Sequence, residues 1–95
     1  MDRLNILVSY DITDDRRRNR LVKVLKDYGS RVQYSVFELQ VKPLQLGELQ
    51  ERIESIININ EDNVRYYTLC ASCIKKVIVQ GGNNKTFVEE EFIIV

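Results

Sequence analysis

The stretch Leu4–Asp11, with the sequence LNILVSYD, constrains the fold of this chain more than any other. An apolar run of this length, rich in Leu, Ile and Val, is typical of a strand buried in a sheet. It ends abruptly on the carboxylate of Asp11, and a cluster of arginines begins at Arg16. A carboxylate at the end of a buried strand, close to clustered arginines, is an arrangement suited to a site that handles phosphate groups.

The chain has 95 residues, which corresponds to one small domain, and 44% of them are hydrophobic. A chain this short buries only a modest fraction of its surface, so we expect dimerisation to add stability. No apolar run approaches the ~20 residues of a membrane span, and residues 1–3 lack the apolar region of a signal peptide. We therefore expect a cytoplasmic protein without membrane contact, with its domain in residues 1–82 and a tail in residues 83–95.

The formal net charge is zero, but the charges are separated along the chain. Half of the basic residues fall between positions 16 and 31, where Asp27 is the one acid, whereas most acids follow later. This separation predicts a local positive field on a neutral molecule. The chain contains no histidine, so any catalysis relies on carboxylates, water and a bound cation.

The remaining pattern predicts two helices and several short strands. A helix begins near Thr13 or Asp14 and stops at Gly29, and a second helix has Pro43 in its first turn. The predicted strands cover residues 31–41, with a break near 34–35, residues 64–70 and residues 75–80. We also expect the apolar end of the tail, residues 92–95, to pair with a sheet edge of this chain or of a partner. This order predicts an α+β, ferredoxin-like β-α-β-β-α-β sandwich with an extra C-terminal strand.

Asp11 has two interpretations. Hard cations such as Mg²⁺ often use one or two carboxylates together with water and substrate phosphate, and a two-fold dimer would supply a second Asp11. Alternatively, Asp11 caps the turn before the first helix, and on spacing alone this second interpretation is favoured.

Several neighbours of Asp11 are candidates for nucleic-acid contact. Arginines hold phosphates through charge-assisted, often bidentate contacts, although a solvated helix face is the likelier role for Arg16 and Arg20. Tyrosine and phenylalanine rings can stack on bases or simply pack, and Ser35 either binds a phosphate or belongs to a turn. The candidates are Tyr10, Arg17, Arg18, Arg20, Arg31, Tyr34, Ser35 and Phe37.

Cys70 and Cys73 form a lone C-x-x-C motif. A structural zinc site needs four ligands, and the chain has no further Cys and no His. A redox motif needs a helix directly after a strand, but residues 74–77 have a strand pattern. We therefore expect two reduced structural thiols.

The strand ending in Tyr10-Asp11-Ile12, the arginines, Gly29 and the block RVQYSVFE at residues 31–38 together resemble the small CRISPR-associated adaptation protein, the nuclease-like partner of the CRISPR integrase. The resemblance covers nearly the whole chain and extends to the ferredoxin-like virulence-associated endoribonuclease superfamily. It implies a homodimer with facing sheets, in which two copies of Asp11 share one divalent cation, Mg²⁺ or Mn²⁺, and serve phosphodiester hydrolysis. It also implies that Tyr10, Arg18, Arg20, Arg31, Ser35 and Phe37 serve activity or nucleic-acid contact.

The resemblance further implies that the dimer is held between two integrase dimers during spacer acquisition. We expect a metal-dependent endonuclease acting on RNA or DNA; the alternative is a non-catalytic DNA-binding scaffold of the adaptation complex. A ferredoxin-like regulatory module is a more remote third interpretation.

Overall fold

β1, Leu4–Asp11, lies inside a four-stranded antiparallel sheet in the computed structural model, which describes residues 3–81. It pairs with β3, Val36–Val41, on one side and with β4, Asn63–Leu69, on the other. β2, Gly29–Gln33, lies beyond β3, which gives the strand order β2-β3-β1-β4. β1 thus has a hydrogen-bonded neighbour along both of its edges.

Two helices of 12 residues each connect the strands. α1, Asp15–Lys26, joins β1 to β2, and α2, Pro43–Glu54, joins β3 to β4. A short helix, α3, covers Ala71–Ile74 directly after β4. This element order and strand order are those of a ferredoxin-like fold and confirm the predicted α+β class. Among residues 3–81 no helix is long and apolar enough to cross a bilayer.

Alternate residues of β1 point to the two faces of the sheet, as the period of a strand requires. Ile6, Val8 and Tyr10 are buried on the helix-covered face. Leu7, Ser9 and Asp11 belong to the opposite face, which no described helix covers and which we call the open face. The core also includes residues of β3, α1 and α2, namely Phe37, Leu39, Val41, Leu21, Leu25, Leu49 and Ile53.

Several predicted boundaries are confirmed. β1 covers the predicted range, and the Asp14 carboxylate caps α1 by accepting a 2.9 Å hydrogen bond from the Arg17 backbone N–H. The strand region 31–41 breaks at the predicted turn between β2 and β3, and Pro43 is the first residue of α2.

The prediction that Gly29 stops α1 is wrong. The helix already ends at Lys26, and Gly29 is the first residue of β2. A Cβ atom at this position would collide with the Glu38 carbonyl oxygen of β3 and lie 2.5 Å from Leu39 Cδ2. A glycine is therefore needed here for the close approach of two strands.

The prediction of a strand over residues 75–80 is also wrong. β4 ends at Leu69, and α3 follows it with the Ile74 side chain buried. Among the described residues no strand pairs with this segment, although residues 77–79 are β-branched and typical of a strand. The predicted tail, residues 83–95, lies outside the described part of the chain, as does its proposed pairing with a partner.

Candidate functional site

Asp11 is the last residue of β1 and is exposed on the open face. It pairs in register with Asn63, the first residue of β4. Its two chain neighbours, Tyr10 and Ile12, are 5% exposed each, so the backbone on both sides of the carboxylate is held in the core. A buried strand therefore presents one carboxylate to solvent in a fixed position.

Tyr10 connects the end of β1 to the turn between β2 and β3. Its hydroxyl donates a 3.1 Å hydrogen bond to the Tyr34 carbonyl, and its backbone N–H donates a 3.1 Å bond to the Ser35 carbonyl. The turn is thereby held beside Asp11, with Ser35 partly exposed and Tyr34 78% exposed. Of the two tyrosine rings, that of Tyr34 is the one available for stacking on a base.

Arg18 approaches the same place from the first turns of α1. Its guanidinium donates a 3.4 Å hydrogen bond to the Ile12 carbonyl and forms an ion pair with Asp15. The Asp15 carboxylate, foremost through its hydrogen bond, raises the pKa of Arg18 above its ordinary value. Arg18 is partly exposed, and the residue whose carbonyl its guanidinium contacts, Ile12, directly follows Asp11. Arg18 and Ser35 are therefore bonded to the backbone of Ile12 and Tyr10, the two chain neighbours of Asp11.

Arg17 has a different environment from the other arginines of α1. Its Nε and its terminal nitrogen donate hydrogen bonds of 2.7 and 3.1 Å to the two oxygens of Asp62, and it also reaches Glu61 at 3.2 Å. The Asp62 side chain is 0% exposed and also accepts hydrogen bonds from the backbone N–H groups of Asn58 and Thr13. Binding of a phosphate by Arg17 would therefore compete with a buried ion pair.

Asp62 is the residue that the sequence analysis missed. Its pKa is lowered from the ordinary value, chiefly by the hydrogen bond from Arg17. It lies in the polar segment between α2 and β4, 45 positions from the arginine that it binds. Nothing in the polar residues around Asp62 in the sequence indicates that it binds Arg17.

The other candidate residues lie apart from Asp11. Arg20 is exposed on α1, beside Lys23 and Arg52 at a groove between α1 and α2. Arg31, on β2, places its guanidinium carbon 5.6 Å from the centre of the Phe37 ring. The Phe37 side chain is fully buried, with its ring centre 6.3 Å from that of Tyr10. Stacking of a base on Phe37 would require this ring to leave the core.

A protein-only metal centre is not formed within residues 3–81. No group of three or more His, Cys, Asp or Glu side chains there is arranged to hold a metal ion. Asp11 is a hard, exposed oxygen donor, which suits Mg²⁺ or Mn²⁺ but supplies only part of a coordination sphere. One copy of the described chain therefore contains an incomplete cation site.

The C-x-x-C motif has a different geometry from the one expected. α3 follows β4 directly, so the reason for excluding a redox motif does not hold. Both thiols are free, and both are exposed. They are therefore not packed structural cysteines.

Comparisons with known proteins identify the family. The family model described as "CRISPR associated protein Cas2" matches residues 4–77. A protein of Synechocystis sp. named CRISPR-associated endoribonuclease Cas2 3 is 41% identical over 75 residues, which cover 79% of this chain and 82% of that protein.

Solved structures agree with the sequence comparisons. The crystal structure of Streptococcus pyogenes Cas2 aligns with a TM-score of 0.73 and 33% identity over 81% of this chain and 99% of that one. A chain of a partial Cas6-RT-Cas1–Cas2 complex aligns with a TM-score of 0.72 and 35% identity over 80% of this chain and 89% of that one. The resemblance found in the sequence is confirmed, and this chain belongs to the Cas2 family of CRISPR-associated proteins.

Proposed function

We propose that this chain is an endonuclease of CRISPR adaptation, which hydrolyses phosphodiester bonds in RNA or DNA with the help of a divalent cation. The observation that carries the proposal is the exposed Asp11 carboxylate at the end of a central strand, where its chain neighbours Ile12 and Tyr10 are hydrogen-bonded to Arg18 and Ser35. The endoribonuclease name of the Synechocystis relative supports a nuclease role. Residues 3–81 offer no histidine for an alternative general base.

The active species is a homodimer formed through the open face. Leu7, Val36 and Leu69 are only partly buried on this face, and Tyr67 is 45% exposed. A cavity of about 740 Å³ lies between these strands and residues 77–81, and its strand side is lined in part by Leu7, Val36 and Leu69. Burial of this apolar surface against a second copy would stabilise a small domain and bring two Asp11 carboxylates to one interface.

Asp11 from each copy would hold the cation. Two close carboxylates repel each other, so a bound cation or a shared proton is required to stabilise them. When bound, Mg²⁺ or Mn²⁺ would polarise the phosphoryl oxygen and make water a stronger nucleophile. Water and substrate phosphate oxygens complete the coordination, which predicts that cation binding is weak without nucleic acid.

Arg18 and Ser35 would orient the phosphate. The Arg18 guanidinium is partly exposed and already anchored to the Ile12 carbonyl, so little side-chain freedom is lost when it binds an anion. Ser35, whose backbone carbonyl accepts a hydrogen bond from the Tyr10 N–H, would contribute its hydroxyl as a neutral donor. Contacts of this kind hold the nucleic-acid backbone and do not read sequence.

The test compares Asp11→Asn with Asp14→Asn in cleavage assays with RNA and DNA substrates. Asn retains the size of the side chain in both variants, and at position 14 it also retains the helix cap. Asp11→Asn is expected to abolish Mg²⁺-dependent cleavage while thermal unfolding stays unchanged, whereas Asp14→Asn keeps activity. Cleavage by highly purified Asp11→Asn at the wild-type rate would refute the proposal.

The alternative is a non-catalytic DNA-binding scaffold that joins two integrase dimers. It is supported by the alignment with a chain of the partial Cas6-RT-Cas1–Cas2 complex and by the incomplete metal site within residues 3–81. In this case Asp11→Asn would leave spacer acquisition intact even if cleavage is lost. An acquisition assay on the same variant therefore separates the two functions.

A further inference from the structure

Cys70 and Cys73 form a close pair of exposed thiols at the end of β4. Their sulfur atoms are 3.1 Å apart, and Cys70 Sγ is also 3.2 Å from Ser72 Oγ. α3 creates this arrangement because one turn of helix brings positions three apart to the same side. The turn is held by the 2.9 Å hydrogen bond from the Ile74 N–H to the Cys70 carbonyl and by burial of the Ile74 side chain.

The two thiols differ in acidity. Hydrogen bonds from the Ser72 hydroxyl and the Cys73 thiol lower the pKa of Cys70 to about 7. The same contact with Cys70 raises the pKa of Cys73 above its ordinary value. One sulfur is therefore available as a thiolate nucleophile near neutral pH, while its neighbour remains a protonated thiol.

We propose that Cys70 and Cys73 form a reversible dithiol–disulfide site that exchanges with low-molecular-weight disulfides of the glutathione type. The Cys70 sulfur attacks one sulfur of the incoming disulfide, forms a mixed disulfide and releases the first thiol. The Cys73 sulfur then attacks Cys70, forms the intramolecular disulfide and releases the second thiol. Both cysteine protons end on the two released thiols, so that the cysteine pair is oxidised by two electrons and the incoming disulfide is reduced by two.

The cysteine pair directly precedes the segment that contains Val77 and Val79. A disulfide between positions 70 and 73 closes a ring across α3 and fixes the turn that leads out of β4. Val77 and Val79 come shortly after this turn and line the cavity over the open face together with Leu7. The disulfide would therefore add a covalent link across the turn that precedes this segment.

The test equilibrates the full-length protein with a series of reduced-to-oxidised glutathione ratios, blocks free thiols and measures intact and peptide masses. The expected product is an intramolecular disulfide, identified by the loss of two hydrogens and reversed by excess reduced glutathione. In Cys73→Ala, a mixed disulfide should accumulate on Cys70. In Cys70→Ala, Cys73 loses the contact that raises its pKa, so it should form a mixed disulfide at the rate of an ordinary exposed thiol, more slowly than Cys70 does in Cys73→Ala. Equal rates of adduct formation on the two single cysteines, or no intramolecular disulfide at any ratio, would overturn the proposal.

Ser72→Ala tests the positioning of the thiolate by Ser72. At pH 7, a pKa of about 7 should make Cys70 react about sixfold faster than a thiol of ordinary pKa 9, because the gain in thiolate outweighs its lower nucleophilicity. Ser72→Ala should lose much of this gain and shift the alkylation pH profile of Cys70 upward. Ser55→Ala, which removes an exposed hydroxyl at the C-terminal end of α2, should change neither. An unchanged profile in Ser72→Ala would show that Ser72 does not position the thiolate.

Discussion

Arg17 and Asp62 join the first turn of α1 to the segment before β4 through two hydrogen bonds of 2.7 and 3.1 Å. The Asp62 carboxylate also accepts a hydrogen bond from the Asn58 backbone N–H at 2.8 Å. This one buried side chain therefore links α1 to the segment between α2 and β4. Because Asp11 lies in register with Asn63, the residue after Asp62, this contact supports the strand pairing beside the candidate site.

Asp62→Ala is expected to lower the free energy of unfolding by about 1–3 kcal/mol, because it leaves the Arg17 guanidinium and two backbone N–H groups without their acceptor. Glu61→Gln is the matched control. It removes the more exposed acidic partner of the same arginine and should change stability by less than about 0.5 kcal/mol. Chemical denaturation at one protein concentration measures both.

The same pair predicts a pH dependence of stability. The pKa of Asp62 is lowered in the folded state, so its ionised form contributes stability above the unfolded-state value near 3.8. This contribution is lost as the pH falls through the lower folded-state pKa. Asp62→Asn should therefore reduce the steepness with which the melting temperature falls in acid. An equally steep fall in the variant would contradict the role of this carboxylate.

The arginines of α1 are expected to differ in their effect on nucleic-acid binding. Arg18→Gln should weaken binding and reduce the slope of log K against log salt by about 0.7–0.9, the effect of one lost phosphate contact. Arg16→Gln is the control, since Arg16 is an exposed arginine of the same helix with no described partner near Asp11. Equal slopes for wild type and Arg18→Gln would exclude this phosphate contact.

Dimerisation through the open face is tested at Tyr67. Tyr67→Glu introduces a charge into the apolar surface of β4 and should weaken dimerisation at least about tenfold, equivalent to about 1.4 kcal/mol. Ile59→Glu is the control, because Ile59 is 78% exposed but lies in the segment before β4. Analytical ultracentrifugation over a concentration series distinguishes the two. Unchanged association of Tyr67→Glu would place the dimer contact on another face.

The sequence predicts the end of β1 well because its signals are local. An apolar run of strand length and an Asp at a helix cap depend on neighbours a few positions away, and β1 and the α1 cap are both observed where expected. The contact between Arg17 and Asp62 has no local signal. Its partners are 45 positions apart and meet only after β1 and β4 have paired.

The two wrong predictions have a common cause. The β-branched residues 77–79 indicate that the segment is able to form a strand, but not that a sheet edge is within its reach. Likewise, a glycine after an amphipathic pattern indicates a helix end, although the space at Gly29 is limited by β3, a strand that comes later in the chain. The exclusion of a redox role for Cys70 depended on the first of these errors.

Gly29 and Gly47 provide opposite predictions for the same substitution. Gly29→Ala should destabilise the fold by about 1–3 kcal/mol, because its methyl group would collide with the Glu38 carbonyl oxygen and press on Leu39. Gly47→Ala should stabilise it by about 1 kcal/mol, because Gly47 is an exposed position within α2 with no atom within 4 Å of an added Cβ. Denaturant unfolding of both variants at a single protein concentration keeps any dimer contribution equal. If Gly29→Ala is as stable as wild type, β2 does not approach β3 as closely as described.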